Sequence, residues 1–148
     1  MDWVDLLRSV GLFAGLDRGQ VGRVVAISTP VEFKDGNVII SQGEKGDRLY
    51  VIGEGQVEVI VGEDPATART ALYLGQGQIF GEMALIDYGE RSATIRCASD
   101  RAVIAVIKRE DFEQLCQSDT GIGYVVMRNL ASDLSFKLRL RNLDPKAS

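Results

Sequence analysis

The chain contains no histidine, and its cysteines number two. Without imidazole the usual general base and the usual zinc ligand are both missing, which argues against a metal-dependent enzyme. Cys97 and Cys116 are too few for a disulfide framework or a thiolate cluster, and both read as small apolar residues. No apolar run approaches the length of a membrane span, and no charged-then-apolar leader opens the sequence. A cytoplasmic protein with no membrane segment is therefore expected. Basic residues are not in excess, since 17 Lys and Arg face 21 Asp and Glu for a net charge of −4. A binder of nucleic-acid backbone normally carries a basic surplus, so no DNA partner is expected. No repeat or low-complexity linker interrupts the chain, and 148 residues suffice for a single domain with its own core.

What the sequence does contain is a ladder of short alternating segments. Val38 and Ile40, Leu49 and Val51, then Val57, Val59 and Val61 follow the period of two expected of half-buried strands. Gly36, Gly43, Gly46, Gly53 and Gly55 divide these segments as turn residues with positive φ. So many short strands predict a mainly β domain, an antiparallel β-roll of jelly-roll type with helices at both ends.

The segment FGEMALIDYGERSAT, residues 80–94, places one acid and one guanidinium among small and apolar residues. Glu82 can accept from a sugar hydroxyl, and Arg91 offers a planar donor fork that matches two oxygens of one phosphate. Gly81 lets the backbone approach a ligand. Residues 83–86 favour a short helical turn whose first N–H groups point at an anion. Ser92 and Ala93 leave room beside Arg91, with Ser92 either a ligand contact or a turn residue. Asp87 and Tyr88 read as surface loop. A second reading of the pair is an internal Glu82–Arg91 ion bridge. An enzyme with Glu82 as base finds no second catalytic group at useful spacing.

This segment, with the upstream pattern GNVIISQGEKGDRLYVIGEGQVEVIV, resembles the cyclic nucleotide-binding domain family, whose phosphate-binding cassette runs Phe-Gly-Glu-Leu-Ala-Leu and then Pro-Arg-Ala-Ala-Thr. The resemblance implies that Glu82 binds the ribose 2′-hydroxyl and Arg91 the exocyclic phosphate oxygens. Gly81, Met83, Ala84, Ser92 and Ala93 would supply the remaining contacts. It implies a non-catalytic sensor for a 3′,5′-cyclic purine nucleotide, cyclic AMP first and cyclic GMP second, with no cofactor and no metal. A domain that keeps this fold for docking or dimerisation without a ligand is the competing reading. Glu90 stands where the family has proline. A carboxylate roughly 7 Å from a phosphate opposes it by about 0.6 kcal/mol in water.

Both ends of the chain read as helical. Within residues 1–16, Asp2 is a candidate cap, with Val4, Leu7 and Gly11 on one side and Trp3, Leu6 and Val10 close by. Residues 21–28 supply a second helix before Pro30 blocks continuation. Residues 111–117 form a third, and Asp119 or Thr120 caps a longer one that runs toward Leu143. The expected division is thus helices over 1–29, the roll over 30–110 and C-terminal helices over 111–145. At 100° per residue the last helix carries two stripes. One holds Met127, Leu130, Ala131, Leu134 and Leu138, the other Ile122, Val125, Phe136, Leu140 and Leu143. Either both pack within the monomer, or, as the family resemblance implies, one covers the nucleotide and the other pairs with a second protomer. Arg128, Lys137, Arg139, Arg141 and Lys146 make its distal part basic, which suits the negative end of the helix dipole. Either these cations are a solvated face, or one of Lys137, Arg139 and Arg141 lies over the purine, with an unidentified effector protein as the output.

Overall fold

The computed structural model describes residues 1–62, 64–87 and 89–143, with Asn142 and Leu143 described by backbone alone. Tyr88, Lys146 and the side chain of Leu143 lie outside the described residues. Among the described residues, eight strands form two antiparallel four-stranded sheets, the predicted roll. The first sheet orders β1 (Ser28–Lys34), β8 (Arg101–Lys108), β3 (Arg48–Glu54) and β6 (Ile79–Phe80). The second orders β2 (Val38–Ile40), β7 (Thr94–Cys97), β4 (Val57–Val61) and β5 (Arg69–Leu74). β1 begins two residues ahead of the expected boundary and contains Pro30, which an edge strand tolerates.

The expectation of half-buried strands fails at β3. Leu49 to Gly53 are all buried, because both faces of this strand are covered. Tyr50 and Ile52 point into the core between the sheets with Phe80, Ile95 and Ile104, whereas Leu49 and Val51 point into a second core built with the helices. That second core holds Leu7, Phe13, Val21, Phe112 and Ile122. Leu49 is fully buried, so cutting it to alanine should cost about 2–5 kcal/mol. Val38 also departs from the pattern, being 54% exposed while Ile40 is 4%. A register shift between them pairs Val38 with Arg96 but Ile40 with Ile95, and this bulge turns Val38 outward.

Gly36, Gly43 and Gly55 have the expected positive φ, but Gly46 and Gly53 do not. Gly53 lies inside β3 and is a close-approach position: a Cβ there would fall 2.4 Å from the Trp3 ring.

At the N-terminus, Asp2 caps α1 (Trp3–Arg8) by accepting from the Asp5 N–H at 3.1 Å. The helix is shorter than its pattern suggested, since a 3-10 turn at Gly11–Phe13 follows and buries Leu12 and Phe13. α2 (Arg18–Ala26) begins three residues earlier than read, behind a capping box formed by Asp17 and Gln20. α3 spans Arg109–Ser118 and α4 spans Thr120–Leu143. Of the two candidate caps it is Asp119 that serves α4, accepting from the N–H groups of Gly121 and Ile122.

The two-stripe reading of α4 is corrected by its burial. Ile122, Val126 and Leu130 are buried together with Leu134 beside them, so residues assigned to opposite stripes share one packed face. Rows spaced four apart drift around a straight helix, and the roll accepts that slanted row. Left outward are Tyr124, Met127, Phe136, Leu138 and Leu140, with Phe136 61% exposed. Among the described residues, no helix is long and apolar enough to cross a membrane.

Candidate functional site

The site grows out of the end of β6. The Phe80 ring stacks on Tyr50 with centroids 4.7 Å apart and planes 6° off parallel. Gly81 then adopts φ 76°, a left-handed conformation that turns the chain into a 3-10 segment at Glu82–Leu85, one residue ahead of the predicted turn. Ala84 and Leu85 are buried and anchor this segment, Leu85 within the helix-side core. Glu82 is thereby held at the surface of a rigid turn. The far end of the cassette is tied to α3, because Arg109 donates to the Ile86 carbonyl at 3.2 Å and to Glu113 at 2.8 Å.

Arg91 is fixed from several sides. Its backbone N–H donates to the Glu44 carbonyl at 2.6 Å, and its carbonyl accepts from Gly43 N–H at 2.9 Å. The guanidinium donates through Nη2 to the Arg48 carbonyl at 3.0 Å and through Nη1 to the Gly81 carbonyl at 3.4 Å. Its Cζ lies 6.0 Å from the Tyr50 ring centroid, within the range of a cation–π contact. Burial pushes the Tyr50 phenol up, with the neighbouring Arg91 charge opposing that shift. The nearest cation to Glu82 is Lys137 of α4, whose Nζ lies 3.8 Å from Oε1. Arg91 thus spends its bonds on backbone carbonyls, and Glu82 faces Lys137 instead of Arg91.

Glu82 and Arg91 open onto a single cavity of about 570 Å³. The structure brings every residue of the expected set to its lining: Gly81, Glu82, Met83, Ala84, Arg91, Ser92 and Ala93. Of the three candidate lid residues it brings only Lys137; Arg139 and Arg141 are exposed farther along α4 and are not among the lining residues. Asp87, read as surface loop, also lines the cavity, and its carboxylate accepts from the Gly89 N–H at 2.8 Å. The hydrogen bond that the Lys137 ammonium donates to Asp133, and beyond it the Glu82 charge, hold that ammonium's pKa above its ordinary value. Among the described residues, no group of three or more Cys, Asp or Glu is placed to hold a metal ion.

Glu82 on the glycine-initiated turn and Arg91 beyond it line the same cavity. The profile of the cyclic nucleotide-binding domain covers residues 30–119. The chain belongs to the cyclic nucleotide-binding domain family. It is 33% identical over 133 residues to the cyclic AMP receptor protein of Thermus thermophilus, covering 90% of this chain and 59% of that protein. It is 34% identical over 115 residues to the cGMP-dependent protein kinase egl-4 of Caenorhabditis briggsae, covering 76% of this chain and 15% of the kinase. The regulatory domain of Toxoplasma gondii PKA, solved with cAMP, superposes with a TM-score of 0.74 at 28% identity, over 90% of this chain and 48% of that one. The chain thus spans between 15% and 59% of the length of these proteins.

The cyclic nucleotide-binding domain fold also supplies parts of the cavity that the sequence reading did not place at a site. Its apolar wall consists of Ile40, Val59, Leu72, Leu74 and Ile95, contributed by β2, β4, β5 and β7. β5 had not been predicted at all, since Arg69 to Tyr73 are exposed and carry little periodic signal. A second cavity of about 680 Å³ adjoins the first, sharing Glu82 and Lys137 and reaching between α4 and the Gly11–Phe13 turn. There Asn129 of α4 donates to the Leu12 and Ala14 carbonyls at 2.9 and 2.8 Å. Nothing local in the sequence marks Asn129, because its partners lie more than a hundred residues away.

Glu90 sits at an isolated antiparallel bridge with Lys45. The hydrogen bonds of that bridge use the N–H groups of Gly46 and Arg91, not that of Glu90. The backbone pairing is therefore compatible with the proline found here in the family.

Proposed function

We propose that this domain is a sensor for a 3′,5′-cyclic purine nucleotide, cyclic AMP in the first instance. The observation that carries the reading is the arrangement of Glu82 and Arg91 on one cavity of about 570 Å³ that is also lined by the apolar Ile40, Val59, Leu72, Leu74 and Ile95. In this reading the Arg91 fork holds the exocyclic phosphate oxygens and Glu82 accepts from the ribose 2′-hydroxyl. Gly81, Met83 and Ala84 present backbone beside the phosphate, and Ser92 and Ala93 complete the rim. The purine lies against Val59, Leu72, Leu74 and Ile95, with Lys137 as the lid. The cAMP complex of the Toxoplasma regulatory domain supports cyclic AMP. The similarity to a cGMP-dependent kinase supports cyclic GMP as the second ligand to test.

The signal leaves through α4. Lys137 places the distal half of this helix at the ligand, and a ligand shifts α4 only by binding two of its positions unequally. The outward Phe136 and Leu140, which share one side of the helix, give α4 a face for a second protomer or an effector protein, in a cytoplasmic setting. A docking module without a ligand is less favoured, because Arg91 is held by backbone carbonyls and not neutralised by Glu82.

Isothermal titration decides the matter, using protein unfolded, stripped of bound nucleotide and refolded. Binding of one cyclic AMP per chain at micromolar affinity or tighter is the expected result. Absence of heat at several temperatures from correctly refolded protein would overturn the reading and favour the docking module.

A further inference from the structure

We propose that Gly46 is a positioning residue for Arg91, its missing side chain being the space in which the guanidinium lies. A Cβ built on Gly46 would stand 2.4 Å from Arg91 Cζ, 2.5 Å from Nε and 2.7 Å from Nη1. Carbon atoms in favourable contact sit about 3.5–4.0 Å apart, so a methyl group and this guanidinium exclude one another. Backbone conformation gives no reason of its own for glycine, because Gly46 is not among the residues with positive φ. Its position is nevertheless fixed, since its N–H donates to the Gly89 carbonyl at 3.1 Å within the Lys45–Glu90 bridge.

Gly81 also approaches the guanidinium, since a Cβ there would fall 2.9 Å from Nη1. That glycine is required twice over, by its φ of 76° and by the Arg48 carbonyl 2.7 Å from the same point. Gly46 is different because the three atoms nearest its Cβ all belong to the far end of the Arg91 side chain. A methyl at 46 therefore displaces the guanidinium and leaves the backbone in place. With the Tyr50 ring as the third wall, the two glycines hold the donor plane before any ligand arrives. A planar fork binds two oxygens of one phosphate only when its plane is aimed, so losing this slot loses affinity while keeping the charge.

The inference about phosphate affinity rests on the proposed cyclic nucleotide site, whereas the placement of the guanidinium does not. The test is Gly46→Ala in the full chain, with Arg91→Ala and the double variant. In ligand-free protein, the melting temperature of Gly46→Ala is expected to stay within about 2 °C of the wild type. The Arg91 Nε–Hε NMR resonance, assigned by its loss in Arg91→Ala, is expected to move. Affinity for cyclic AMP should fall roughly 10-fold, and the double variant should bind no more weakly than Arg91→Ala alone. An unmoved resonance, binding within about threefold of wild type or additive losses in the double variant would each overturn the proposal. A melting temperature lower by more than about 5 °C would assign Gly46 to the fold instead and equally overturn it. If the wild type binds no cyclic nucleotide, the proposed function fails, and the resonance alone decides the placement: a shift supports it and no shift overturns it.

Discussion

Lys137 Nζ lies 3.8 Å from Glu82 Oε1, so a residue near the end of α4 meets the cassette 55 positions earlier in the chain. The contact explains why one cation of the basic distal helix, and not its neighbours, belongs to the cavity. Lys137→Ala is expected to weaken cyclic nucleotide binding about 2- to 5-fold, the scale of a half-exposed charge contact of roughly 0.5–1 kcal/mol. Arg139→Ala and Arg141→Ala should leave the dissociation constant unchanged. Titration of the three variants checks the order, and equal losses in all three would refute a specific lid.

Arg91→Ala should remove about 1.5–3 kcal/mol of binding, or roughly 10- to 150-fold in affinity, as expected for a charge-assisted contact. Calorimetry at fixed ionic strength reads this directly. Wild-type affinity in the variant would remove the assignment of Arg91 to the phosphate.

Glu90→Pro should tighten binding about threefold at low salt, by deleting a like charge near the phosphate. The gain should shrink as the Debye length falls below about 10 Å with added salt. Since the bridge at this position uses the N–H groups of Gly46 and Arg91, the substitution keeps both bonds. Weaker binding at every salt concentration would show that the acid is tolerated for another reason.

Glu58 provides a pH test outside the ligand site. It is 8% exposed on β4, accepts from Arg96 Nε at 2.6 Å and from the Thr70 hydroxyl at 3.0 Å. The Arg96 hydrogen bond, and after it the Thr70 hydrogen bond, hold its carboxyl below the usual range against the opposing effect of burial. A folded pKa below the unfolded one stabilises the fold at pH above the unfolded value of about 4.3, and that contribution disappears as pH falls through the folded value. Glu58→Gln should thus be less stable than wild type by about 1 kcal/mol at pH 7, discounted for the half-exposed arginine, with the gap closing below about pH 4. Urea unfolding at pH 7 and at pH 3.5 checks the sign; a gap that widens in acid would contradict it.

Asn129→Leu removes two hydrogen bonds between α4 and the Gly11–Phe13 turn and leaves the Leu12 and Ala14 carbonyls to find water. A loss of about 1–2 kcal/mol in thermal or urea unfolding is expected. No loss would mean that apolar packing alone seats α4.

β3, β4, the turns at Gly36, Gly43 and Gly55 and the cassette were legible in the sequence because each is a local pattern. Alternation marks β3 and β4 within a few residues, and Gly81, Glu82 and Arg91 stand within one segment of the chain. Burial on both faces of β3 was not legible, since it depends on helices from both ends of the chain closing over Leu49 and Val51. The same holds for β5, whose exposed residues carry no period, and for the slanted Ile122–Val126–Leu130 row, which is selected by the shape of the surface beneath it.

The sequence by itself determined the chemistry of the site and the kind of fold that carries it. An acid, a guanidinium and a glycine at fixed short spacing limit what can be bound, whatever surrounds them. Tertiary structure decided which apolar residues face that chemistry, that Lys137 is the cation of α4 at the cavity, and that Gly46 lies against Arg91. These are meetings of segments tens of residues apart. Their distances follow from how two sheets and a helix pack, and packing is a property of the whole set of buried surfaces, not of any stretch of chain.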